Sequence, residues 1–232
     1  MGDVDAGDTG ISGADAPQSG SLGGLSDLDL VEETIVLGGR DLAVLRPRES
    51  DALIDERAFE HEEFLPYWAE LWPSGHALAR RVAVRALHGA RTLELGCGLG
   101  LPSLAAALAG GRVVATDWSP QAVELLRGNA ERNGIAVDVE RADWATPEPL
   151  LERAPWDLVL GADLLYERRN AELLLPLLPR LLAARSELWL ADPGRPPAGP
   201  FLEAMAATFE IETAQDPLLP QGGVHRLRKK GA

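Results

Sequence analysis

The sequence predicts an α/β protein with a parallel sheet covered on both faces by helices and preceded by a β-hairpin. Three observations point there. Five apolar runs of strand length, "RTLELG", "RVVATD", "AVDVERAD", "WDLVLGAD" and "SELWLAD", recur after residue 90. Helix-length segments separate them, and this alternation implies βαβ units. Glycines at alternate positions follow the first run, and carboxylates end the next four, where ligands bind in open parallel sheets.

Taken in order, residues 1–28 are rich in Gly, Ser, Asp and Ala, and no Lys or Arg precedes Arg40. That composition predicts a disordered acidic tail. Residues 29–71 form a second segment. In it "ETIVLGGRDLAVLRP" sets two aliphatic runs around Gly38 and Gly39, the signature of a hairpin with a two-residue turn. The stretch to Leu71 is acidic and aromatic, with Phe64, Tyr67 and Trp68, and is expected to act as a lid or added layer. From residue 72 to 232 the chain reads as one α/β domain. "PSGHALARRVAVRALHG" predicts a helix with Leu78, Val82 and Leu87 on one side and Gly89 as its stop. In "SPQAVELLRGNAERNG", Ser119 is the N-cap, Pro120 the first helical residue, and Asn133 with Gly134 the end. Pro176 and Pro179 are expected to split the helix after Tyr166 into two pieces.

Composition excludes several functions. Cys97 is the single cysteine, and the four histidines have no metal-ligand spacing, so neither a disulfide nor a zinc site is expected. A formal net charge of -14 opposes a phosphate backbone, which argues against nucleic acid as a partner. No apolar run is long enough to span a membrane, and the start lacks the order of a signal peptide, so the chain reads as cytoplasmic.

The chemistry lies in the loops after the strands. In "LELGCGLGLPS", Gly96, Gly98 and Gly100 let the backbone approach a ligand closely, but Leu101 stands where a dinucleotide fingerprint needs glycine, so NAD is not expected. Asp117 ends the next run about 20 residues on, where a carboxylate can accept both ribose hydroxyls of a nucleoside or can cap the following helix. Trp118 can cover an adenine face or fill space. Asp143 and Trp144 in "ADW" offer an acceptor for an exocyclic amine and an apolar wall, or form a packed turn. Asp163 and Tyr166 in "GADLLYER" stand three residues apart beyond the fourth run.

Through "ELGCGLG", Asp117 and "ADW", the chain resembles the class I S-adenosylmethionine-dependent methyltransferases. "LPYWAELWPSGHALAR", "GADLLYER" and "ADPGRPP" are similar to the seven-strand lysine methyltransferases marked by an Asp-x-x-Tyr motif, above all to those acting on the electron transfer flavoprotein β-subunit. The resemblance implies a Rossmann-like open sheet of seven strands and S-adenosyl-L-methionine as cofactor. It makes Trp72 a wall of the cofactor site, sets Gly96, Gly98 and Gly100 beneath the cofactor, gives Asp117 the ribose, and brings Trp118, Asp143 and Trp144 to the adenine. Asp163 and Tyr166 become the pair facing the amine, with Asp163 attracting and orienting an ammonium. The implied partner is a protein with an exposed lysine, and an acidic rim from Glu60, Glu62, Glu63 and Glu70 fits a basic surface. A small amine as acceptor, or a non-catalytic module that binds the cofactor, are the alternatives.

Overall fold

The computed structural model describes residues 25, 28–50, 53 and 66–231. The expected tail, apart from Leu25 and Leu28, and Glu60, Glu62, Glu63 and Phe64 of the acidic-aromatic stretch lie outside the described residues.

Strands β1 (Leu30–Leu37) and β2 (Arg40–Pro47) pair antiparallel, with Leu37 opposite Arg40. Gly38 and Gly39 have φ of 58° and 79°, the two positive values that a type I′ turn requires. A 3-10 turn (Tyr67–Ala69) leads into helix α1 (Pro73–Ala83). The core then alternates through β3 (Arg91–Leu95), α2 (Leu101–Leu108), β4 (Arg112–Asp117), α3 (Pro120–Arg132), β5 (Asp138–Arg141), α4 (Glu148–Glu152) and β6 (Trp156–Ala162). It continues with α5 (Arg168–Leu181), β7 (Leu182–Asp192), α6 (Ala198–Met205), β8 (Phe209–Ala214) and β9 (Gly223–Lys229).

The seven-strand sheet has the order β5-β4-β3-β6-β7-β9-β8, with β9 antiparallel to both its neighbours and the other pairings parallel. Alternation along the strands feeds two apolar layers. Val113, Ala115, Leu158, Leu160 and Trp189 pack against α1, α2 and α3, whereas Leu93, Leu95, Val159, Leu188 and Leu190 pack against α5 and α6. The chain winds outward from β3 to β5 and then returns to place β6 on the other side of β3. The crevice beyond the carboxyl ends of β3 and β6 is therefore the topological switch point, where ligands of such sheets bind.

The hairpin is fastened to α3 by two asparagine side chains one helical turn apart. Asn129 accepts the Leu45 N–H (2.7 Å) and donates to the Leu45 carbonyl (3.0 Å). Asn133 does the same for Ala43, at 2.9 and 2.8 Å. The two amides thus act as a substitute strand for the edge of β2. Asn133 is also the C-cap of α3, and Ser119 caps its start by accepting from the Ala122 N–H, as the sequence predicts.

Two expectations fail. Helix α5 runs unbroken through Pro176 and Pro179. The carbonyls that lose a partner belong to Glu172 and Leu175, which lie on the exposed side, while Leu174, Leu177, Leu178 and Leu181 are buried against the sheet. Burying four leucines, at about 1.5 to 3 kcal/mol each, outweighs the two lost bonds. Helix α1 ends at Ala83, six residues before Gly89, because the Leu87 and Gly89 N–H groups bond the Ala109 and Gly110 carbonyls at the end of α2. Leu87 is nevertheless buried as expected.

Candidate active site

A cavity of about 500 Å³ opens at the switch point. All ten residues singled out from the sequence line it: Trp72, Gly96, Gly98, Gly100, Asp117, Trp118, Asp143, Trp144, Asp163 and Tyr166. Four of the six tryptophans and both tyrosines of the chain stand in its wall, which is a strong concentration of aromatic surface in one place.

The floor is the glycine loop between β3 and α2. Gly96, Gly98 and Gly100 all have positive φ, at 59°, 48° and 75°. A Cβ on Gly98 would stand 3.1 Å from the Trp68 carbonyl oxygen, and one on Gly100 would overlap the Leu126 side chain. The positive φ values and these close neighbours leave glycine as the residue that fits each position, so the loop passes the cavity as bare backbone. Asp117, at the end of β4, holds it from beside: one carboxylate oxygen accepts the Gly98 N–H and the other accepts the Ser119 N–H, each at 2.9 Å. Burial raises the pKa of Asp117, while these N–H bonds pull it back down. Asp117 therefore braces both the glycine loop and the Ser119 cap residue of α3, and it lines the cavity. Trp118 is partly exposed at the rim, with its carbonyl accepting from Arg141 Nε at 2.8 Å. Asp143 turns its carboxylate to the Ala145 N–H at 2.8 Å, and Trp144 lies against the Gly96 position.

The opposite wall comes from β6 and β7. Asp163 has φ of 56°, a left-handed conformation uncommon for residues other than Gly, Asn and Asp, and its N–H bonds the Ala191 carbonyl at 2.8 Å. Both its oxygens are taken by Arg195, at 2.8 and 3.1 Å, a bidentate pair. The carboxylate expected to attract an ammonium already holds a cation. The Asp163 side chain is 5% exposed and that of Arg195 34%. Asp192, at the end of β7, shapes the turn that delivers Arg195 by accepting the Gly194 and Arg195 N–H groups, both at 2.7 Å. The Arg195 guanidinium also sits 5.7 Å from the Trp72 ring centre. Tyr166 packs its ring 4.9 Å from that of Tyr67, and burial pushes its hydroxyl up to about 12.

Glu94, Tyr67 and Arg195 line the cavity without having been assigned a role from the sequence. Glu94 is the one buried charged residue in β3, bonded to Ser103 Oγ of α2, and desolvation raises its pKa to about 8. A carboxyl within an otherwise apolar run was its signal, and the strand-end turn "ADPGR" was that of Arg195. Cys97 is buried, and burial pushes its thiol well up. Glu70 lines the cavity and accepts from Ser50. Among the described residues no group of three or more His, Cys, Asp and Glu is placed to hold a metal.

A seven-strand sheet ending in an antiparallel excursion, with a glycine cradle after the first strand of the α/β series and a carboxylate after the next, defines the class I methyltransferase fold. Known structures agree: the 16S rRNA N2 G1207 methyltransferase of T. thermophilus, in complex with AdoMet and guanosine, superposes with a TM-score of 0.60 over 87% of this chain and 51% of that one, at 18% identity. Within that class, residues 67–204 match the lysine methyltransferase family, and the chain belongs to it. It is 36% identical over 137 residues to the electron transfer flavoprotein beta subunit lysine methyltransferase of Xenopus laevis, covering 56% of this chain and 53% of that protein. It is 32% identical over 161 residues to the histone-arginine methyltransferase METTL23 of Xenopus laevis, covering 66% and 68%. The chain spans about half the length of the flavoprotein-subunit methyltransferases it matches.

Proposed function

We propose that the protein is an S-adenosyl-L-methionine-dependent N-methyltransferase acting on lysine side chains of a protein. The observation that carries this reading is the convergence, in one cavity, of the glycine cradle with Asp117 on one wall and the Asp163 and Tyr166 pair on the other. Membership of the lysine methyltransferase family supports it.

The cofactor, when bound, supplies a methyl group on a positively charged sulfur. The cradle at Gly96, Gly98 and Gly100 leaves room for it, Asp117 has lone pairs for the ribose hydroxyls, and Trp72, Trp118, Asp143 and Trp144 frame the adenosine. The work left to the chain is to set an unprotonated amine in line with the methyl-sulfur bond, which is a positioning task. Asp163 retains lone pairs beyond those Arg195 uses, enough to accept an amine N–H. Tyr166 offers a ring face worth about 0.5 to 2 kcal/mol to the charged product, and a hydroxyl that stays protonated throughout the physiological range. Aromatic walls exclude water from the reacting amine.

The catalytic unit in this reading is residues 72–232, with 29–71 as an accessory hairpin and lid and 1–28 as an acidic tail. Among the described residues no helix is long and apolar enough to cross a membrane. The charge balance supports a cytoplasmic protein acting on a basic protein surface rather than on nucleic acid. Titration calorimetry tests the cofactor assignment: S-adenosylmethionine and its demethylated product should bind at micromolar affinity or better and NAD should not, whereas NAD binding alone would overturn it.

A further inference from the structure

We infer that Arg195 is a positioning residue that makes the acceptor site select an amine in its neutral form, by keeping Asp163 from acting as a free anion. This rests on the amine-methylating reading above and adds to it the protonation state of the substrate that the site holds.

The argument begins with charge. An unpaired carboxylate in a sheltered site would bind an ammonium tightly and stabilise it, which raises the amine's pKa. An ammonium has no lone pair and cannot attack a methyl group. The site would then hold its substrate best in the form that does not react, and binding spent on the ground state slows turnover. Here the Asp163 carboxylate is almost fully buried and is matched, oxygen by oxygen, by the Arg195 guanidinium. The pair is neutral as a unit. It can accept a hydrogen bond from an amine without a net charge to hold a proton on it.

The pair is also built to persist. Asp192 ties down the backbone of Gly194 and Arg195, the Trp72 ring covers the guanidinium, and the left-handed turn at Asp163 presents its carboxylate to the same point. Guanidinium suits the task because it does not lose its proton in proteins and its planar fork matches a carboxylate. The other charged or titratable groups that face this corner come from every neighbouring element. They are Tyr67 of the 3-10 turn, Glu94 and Asp117 at the strand ends, Tyr166 and Glu167 before α5, Arg169 within it, and Asp192 at the end of β7. Glu94 is the one among them whose pKa falls near 8.

The test uses the full chain saturated with S-adenosylhomocysteine and titrated with n-butylamine, an analogue of the lysine side chain, between pH 7 and 9. In the parent protein, affinity should rise about tenfold per pH unit below the amine's own pKa, because the neutral form is the one bound. Arg195→Gln frees Asp163, so it should bind butylamine at least tenfold more tightly at pH 7, with little dependence on pH. Arg195→Lys, which keeps the charge, should stay close to the parent. Both proteins carry Glu94, so its ionisation affects them alike, and the difference between their slopes reports Arg195. Equal slopes, or a parent affinity independent of pH, would overturn the inference while leaving the methyltransferase reading intact. The parent slope alone decides the matter if Arg195→Gln does not fold. Butylamine binding to neither protein at any pH would remove the acceptor site itself, and the inference with it.

Discussion

Asp117 at the end of β4 accepts the backbone N–H of Gly98 at 2.9 Å, so the carboxylate we propose as the ribose acceptor also holds the glycine loop in shape. Its second oxygen is committed to the Ser119 N–H. Replacing Asp117 by Ala therefore leaves two sheltered donors without an acceptor as well as removing a ligand. Cofactor affinity should fall at least tenfold by calorimetry, and stability by about 1 to 3 kcal/mol per orphaned donor. Asp117→Asn should lose nearly as much stability, since an amide NH₂ would meet one of those N–H groups. Affinity and melting temperature unchanged in both variants would show that neither role matters.

Replacing Asp163 by Asn tests the acceptor wall. Asn tolerates the left-handed backbone at this position about as well as Asp, so the fold and cofactor affinity should be kept within a few-fold. Turnover on the true substrate should drop at least tenfold, because Arg195 loses its counter-charge and becomes a free cation facing the incoming amine. Tyr166→Phe beside it separates ring from hydroxyl: a ring-face role predicts less than a threefold change in kcat/KM, and a hydroxyl role a larger one. Full activity in Asp163→Asn would take the pair out of the active site.

Glu94 should make stability depend on pH in the direction opposite to most carboxylates. Its pKa is about 8 in the folded chain against 4.5 as a free side chain. Between those values the unfolded chain has released the proton and the folded chain retains it, so stability falls as pH rises. The slope is up to about 1.4 kcal/mol per pH unit from this group. Above pH 8 the contribution levels off. Urea unfolding at pH 5.5 and 7.5 should show a larger loss for the parent than for Glu94→Gln, in which no proton is released. Parallel losses would mean that Glu94 is ionised in the fold.

The hairpin should depend on two amides. Asn129→Ala removes both bonds to Leu45 of β2, and Asn133→Ala both bonds to Ala43. Each substitution should cost about 1 to 3 kcal/mol in urea unfolding. The pair together should raise amide exchange in β1 and β2 ahead of the main sheet. Exchange that rises uniformly would show that the apolar contacts of Ile35, Leu37, Leu42 and Val44 dominate instead.

Much of this architecture was legible in the sequence because its signals are local. Gly38 with Gly39 specifies a hairpin turn, Ser119 with Pro120 starts a helix, and runs such as Val113 to Asp117 can pair only in a buried sheet. What escaped depends on distance. Pro176 and Pro179 warn against a helix, and only the sheet beneath α5 explains why the leucines prevail. Gly89 marks a plausible stop, yet the end of α2 claims the backbone earlier. Strand β8 at the sheet edge is mostly exposed or half-buried apart from Phe209, and β9 beside it sets His225, Arg226 and Arg228 among its apolar residues, which is a weaker signal than the central runs. The site followed the same rule. Ten lining residues were marked by strand ends and motifs, whereas the partnership of Asp163 with Arg195 spans 32 positions and appears only once β6 and β7 lie side by side.

The central claim is that this cavity transfers methyl groups to lysine side chains of a protein. The most direct measurement incubates a lysate of the cognate cell with the protein and isotopically labelled S-adenosylmethionine, then maps the label by mass spectrometry, with Asp163→Asn as the control. The account predicts label on lysine side chains of one or a few proteins, lost with the variant. Label confined to arginine side chains or to small metabolites, or label equally strong with Asp163→Asn, would contradict it.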